Sequence, residues 1–138
     1  MKNNTTVRGT QMPKRKAFSP CGLMQWPCKI NLVPEYAPYF DGADILISAD
    51  CAAYASDDFR RLMRDRITLI GCALADAGRL HEKLTAILRE NDVKSITVAR
   101  LEVGCCEGIE NAVARALEAS GKKIPLNILT VSTSGRIT

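Results

Sequence analysis

The sequence is short of aromatic residues: three Phe, three Tyr and one Trp make up 5% of its 138 residues. A core built from it has to be aliphatic. It lacks any apolar run of about eighteen residues, which excludes a bilayer-spanning helix. Its opening residues, Met1-Lys2-Asn3-Asn4-Thr5-Thr6, contain no apolar stretch of the kind a secretory signal needs. There is no C-x-x-C pair, no Walker motif, and no G-x-G-x-x-G after the first expected strand. These absences argue against a self-announcing ferredoxin sequence and against nucleotide enzymes of the common types. Basic and aromatic residues do not interleave as they would in a single-strand nucleic-acid binder.

What is present is ordinary for a globular chain: 46% hydrophobic and 25% charged. The length suits one domain, large enough to hold a core without disulfide or metal. The net charge is +4, and Lys2, Arg8, Lys14, Arg15 and Lys16 crowd one end. Residues 1–20, broken by Pro13 and Pro20, read as a flexible basic tail, and residues 21–138 as a single α/β domain. With neither span nor signal, the expected location is the cytoplasm, where thiols stay reduced. The six cysteines are then not expected to form three structural disulfides.

Apolar runs and helical stripes alternate along the chain. Residues 29–33 are expected to form a short edge strand, bounded by Pro27, Pro34 and Pro38. Tyr36, Tyr39 and Phe40 are expected to cover part of the core. Strands are expected at 45–49, 67–70, 96–101 and 126–131. Helices are expected at about 57–64, 78–91 and 107–120, the last ended by Gly121. This alternation predicts a mostly parallel sheet of four to five strands with helices on both faces, a three-layer arrangement of Rossmann or flavodoxin type. The first strand should lie beside both the second and the third.

On that map Cys51, Cys72 and the pair Cys105-Cys106 follow the carboxyl ends of three strands. In an open parallel sheet those ends share one rim, where ligands bind. Four thiolates there would suit an iron–sulfur cluster or a tetrahedral zinc. Cys106 also precedes a helix N-terminus, whose N–H groups favour a thiolate, so it is the candidate reactive thiol. Gly71, Gly104 and Gly108 flank these cysteines and would let backbone N–H groups approach a cofactor. Asp50 and Glu102 are candidate bases or supporting carboxylates. Cys21 and Cys28 fall outside the pattern and read as loop or packing residues. His81, the only histidine, reads as a helix-surface residue.

Several stretches resemble a family of ferredoxin-type iron–sulfur proteins from anaerobic prokaryotes. They are Gln25-Trp26-Pro27 through Leu32-Val33-Pro34, Ala37-Pro38-Tyr39-Phe40, Ala49-Asp50-Cys51, Ile70-Gly71-Cys72 and Glu102-Val103-Gly104-Cys105-Cys106-Glu107-Gly108-Ile109. Members of that family often carry a ferredoxin module ahead of this domain. The resemblance implies an iron–sulfur context. The leading expectation is an iron–sulfur redox or electron-transfer protein ligated by Cys51, Cys72, Cys105 and Cys106. Alternatives are zinc on the same cysteines, a thiol enzyme or sensor with Cys106 attacking and Cys51 or Cys72 resolving, and a docking module of a larger oxidoreductase. The expected partners are a redox protein and a second copy of the chain, with neither membrane nor nucleic acid.

Overall fold

A computed structural model describes residues 20–76 and 78–138. The expected basic tail, save Pro20, lies outside the described residues. Four strands form one sheet: β1 (Asp44–Ala49), β2 (Ile67–Gly71), β3 (Ser95–Leu101) and β4 (Leu126–Val131). The order is β2-β1-β3-β4 and every pairing is parallel. The first strand therefore lies between the second and third, as expected.

Alternate residues of each strand face opposite layers, which explains why the runs are continuously apolar. Ile45, Ile47, Ile67, Leu69, Ile96 and Val98 belong to one core with α3 (Leu80–Glu90) and α4 (Glu107–Ser120). Leu80, Leu84, Ile87 and Leu88 are the buried stripe of α3, and Ile109, Ala112, Val113 and Ala116 that of α4. Leu46 and Ala99 face the other way, onto Leu62 and Met63 of α2 (Phe59–Met63). Each Leu or Ile buried in this way contributes about 1.5–3 kcal/mol. Gly121, at φ 73°, ends α4 in the left-handed conformation that favours glycine.

The structure departs from the sequence reading, or adds to it, at four places. The segment at 29–33 is not a full strand: only Lys29 bridges Ile70, and the chain then turns. The prolines around it leave too few residues for a longer ladder. A helix not foreseen, α1 (Asp50–Ala55), follows β1 directly; its alanines favour helix but make no periodic stripe to notice. Tyr36 covers nothing, being 63% exposed, whereas Phe40 is fully buried. And β4 is not sandwiched like its neighbours, since Leu126, Asn127 and Ile128 are exposed.

The segment before β1 is tied down by polar bonds. Gln25, fully buried, donates from Nε2 to the Thr68 carbonyl at 2.7 Å. Ile70 N–H donates to the Cys28 carbonyl, and Ile30 N–H to the Ile70 carbonyl, both at 2.9 Å. Asn91 donates to the carbonyls of Glu35 and Ile87, each at 2.7 Å, and accepts from Ala37 N–H at 3.3 Å. These bonds lay residues 25–30 along the outer edge of β2 and carry Lys29 to the sheet's carboxyl rim. Among the described residues no helix is long and apolar enough to cross a membrane.

Candidate functional site

The rim where β1 and β2 end gathers charge around one ammonium. Lys29 Nζ lies 3.0 Å from Asp50 Oδ2, at the start of α1. Both side chains keep more than a third of their surface in water, 40% and 37%, so the pair itself stabilises the fold by no more than about 1 kcal/mol. Its role is positional. The hydrogen bond to Asp50 raises the Lys29 pKa above its ordinary value, burial opposes this, and Asp50, Asp76 and Cys72 add to it as charged neighbours. Asp50 therefore holds the Lys29 ammonium in place at this rim.

The turn after β2 holds Cys72. Cys72 N–H donates to Asp76 Oδ2 at 2.7 Å, and Asp76 N–H to the Cys72 carbonyl at 2.8 Å. Asp76 Oδ1 accepts from Asn31 Nδ2 at 3.0 Å. One carboxylate thus clamps the turn to the segment carrying Lys29. Ala75 N–H points at Cys72 Sγ, 3.4 Å away. Cys72 is half-buried and Cys51, on α1, is exposed; both thiols are free. Cys28 also carries a free thiol. Burial pushes that thiol up, against the opposing pull of its own backbone hydrogen bond and Lys29; Asp50 and Cys21 stand among its charged neighbours. Asp50 Oδ1 is buried and has no hydrogen-bond partner among the described residues.

The other expected site residues are placed as follows. Gly104, Cys105 and Cys106 form a short 3-10 turn leading into α4. That turn carries the Cys106 side chain inward, where it is 8% exposed and packs in the main core. The candidate reactive thiol is therefore a core residue at this rim, whereas Cys51 is exposed and Cys72 half-buried. The Cys105 side chain lies outside the described residues. Gly71 and Gly108 are sites of close packing: a Cβ on Gly71 would stand 3.1 Å from Ile30, and one on Gly108 only 2.5 Å from Ala73. Nothing lies within 4 Å of a Cβ built on Gly104. Among the described residues no group of three or more His, Cys, Asp or Glu side chains could hold a metal ion. The described cysteines thus do not by themselves compose a cluster or zinc site. Glu102 is engaged elsewhere, accepting from Thr133 N–H at 2.8 Å and Thr133 Oγ1 at 2.9 Å, and these bonds hold its carboxyl below the usual range. His81, in the first turn of α3, has Nε2 3.3 Å from an Arg115 guanidinium nitrogen.

Lys29, Cys28 and Asp76 were not legible as site residues. Lys29 stands in a short apolar stretch, and nothing local says that its ammonium reaches another strand's end. Asp76 had a local signal: an aspartate four residues after Cys72, in a turn, can bond back to the cysteine's own N–H.

A family model for a Rossmann-like domain matches residues 37–138. The chain belongs to that family. It is also similar to an uncharacterized protein of Archaeoglobus fulgidus, 37% identical over 116 residues, covering 83% of this chain and 82% of the relative. No solved structure matches the chain. The candidate site of this Rossmann-like domain lies at the carboxyl ends of the strands, where open parallel sheets commonly bind ligands.

Proposed function

We propose that this Rossmann-like protein performs thiol redox chemistry, with Cys72 as the exchanging sulfur, Lys29 as the cation beside it and Asp50 as the residue that positions Lys29. One observation carries the reading: the half-buried Cys72 sulfur receives the Ala75 N–H, and Asp76 ties its turn to the segment whose Lys29 ammonium Asp50 holds. An N–H donor and a nearby cation are the surroundings that reactive thiols use. In the step proposed, the Cys72 thiolate attacks a disulfide on a redox partner. A new sulfur–sulfur bond forms as the partner's bond breaks, and the partner's second sulfur leaves as thiolate and takes a proton from water. A second thiol then releases Cys72 by the same exchange.

The test is site-resolved alkylation by iodoacetamide, read by mass spectrometry. Cys72 should label faster than Cys51 although Cys51 is more exposed, and Lys29→Met should slow Cys72 about threefold, the size of a partly screened charge contact. Labelling that merely follows exposure, Cys51 ahead of Cys72, would sink the proposal.

A second reading is an iron–sulfur or zinc site, favoured by cysteines that follow β1, β2 and β3 onto one rim. Cys51, Cys72, Cys105 and Cys106 would be its ligands, though the described members do not stand as a metal group. Iron, sulfide and zinc assays on protein purified without oxygen decide it: a colourless, metal-free protein removes this reading and leaves the thiol reading intact.

A further inference from the structure

The outer edge of β4 is half covered and half open. At its carboxyl end, Thr130 exchanges two hydrogen bonds with Thr138, at 3.0 and 2.8 Å, and Ser132 N–H donates to Arg136 at 2.8 Å. Residues 136–138 thus run antiparallel along this stretch, bridging at Val131–Ile137. Main-chain groups alternate sides along a strand, so Leu126 and Ile128 point their N–H and C=O outward as Thr130 does. The inward positions pair with β3; the Pro125 carbonyl accepts from Ile96 N–H and the Val131 carbonyl from Glu102 N–H. Among the described residues nothing pairs with the outward groups of Leu126 and Ile128. Their side chains, 37% exposed each, lie on the α4 side of the sheet beside this gap. The stretch Leu126-Asn127-Ile128-Leu129 has none of the devices that protect an edge: no charge, no proline, no bulge.

We propose that β4 is a two-fold interface, and that its occupant is β4 of a second copy, antiparallel and centred on Asn127. The gap is bounded at one end by the start of β4, just after Ile124 packs on the main core, and at the other by the Thr130–Thr138 pair. An incoming strand must therefore be short and must end where this one ends. A second copy meets that condition, because the same two stops bound it. With Asn127 on the axis, Leu126 of each copy faces Ile128 of the other, and all four outward N–H and C=O pairs find partners. The apolar side chains then stack Leu against Ile across the axis, a favourable cross-strand pairing. Beyond Pro125 the chain rises towards α4, where Ile124 packs on the main core, so the connection leaves the sheet plane before it meets residues 136–138. The contact is isologous and closes as a dimer rather than a filament. A short ladder buries little area, so the dimer is of the weak class.

The test is sedimentation velocity of the full chain from about 10 µM to about 1 mM, a range that brackets weak association. The expected result is a reversible shift from monomer to dimer. Ile128→Lys places a charge opposite Leu126 of the other copy and should raise the dissociation constant at least about tenfold. Ile128→Pro deletes only an outward N–H, leaving the β3 ladder its bonds, and should do the same while circular dichroism stays native. Slowed hydrogen exchange at the Leu126 and Ile128 amides on raising the concentration gives a readout independent of both variants. A monomer throughout the range, or a dimer that neither variant weakens, overturns the proposal.

Discussion

The hydroxyl of Tyr39 is buried with no hydrogen-bond partner among the described residues, and burial pushes its pKa up to about 12. A folded-state pKa above the unfolded value of about 10 adds stability that is fully present below that value and is lost as pH rises towards 12. Tyr39→Phe removes both the unpaired hydroxyl and its titration. The variant should be about 1 kcal/mol more stable at pH 8 and should lose less stability by pH 11, read from urea unfolding at the two pH values. An equal alkaline loss in both proteins would mean that Tyr39 does not titrate late. Glu102 runs the other way. Its carboxyl is held down by Thr133, so its contribution is present above the ordinary carboxylate pKa and fades as pH falls through the folded value. Glu102→Gln should flatten the acid limb of a melting-temperature profile, and an unchanged limb counts against that assignment. The site itself was only partly legible at this scale. Cys72 was visible from its place after an apolar run, but Lys29 was not, because its relevance depends on a carboxylate 21 positions away.

At the scale of elements, α4 is seated by a contact that admits no side chain. Gly108 meets Ala73 so closely that a Cβ would stand 2.5 Å away. Gly108→Ala should therefore push the first turn of α4 off the Cys72 turn, at a cost of about 1–3 kcal/mol in denaturant unfolding, despite the better helix propensity of alanine. It should also change the alkylation rate of Cys72, whereas a neutral or stabilising effect would contradict the packing described. Asn91 plays the corresponding part below α3, tying three main-chain groups from two segments. Asn91→Ala leaves those buried groups unpaired and should cost about 3 kcal/mol. The stripes of α3 and α4 were readable because 3.6-residue periodicity survives in sequence. The helix α1 was not: six residues with three alanines offer no stripe.

For the molecule as a whole, the parallel sheet with helices on its faces follows from the alternation of apolar runs and stripes, read without coordinates. Four buried or partly buried strands with helices between them have few other ways to cover both faces. The rim as a place for chemistry follows from the same pattern, since each crossover returns a strand end to one side of the sheet. What only the tertiary structure decided is which side chains meet there. Pairing of residues 28–30 with β2 brought in Lys29 and Cys28, a 3-10 turn sent Cys106 into the core, and β4 was left with an open edge. None of these is periodic, and each depends on contacts between residues far apart in the chain. Local pattern therefore determined the elements and their order, while long-range packing decided the candidate site's membership and the exposed strand.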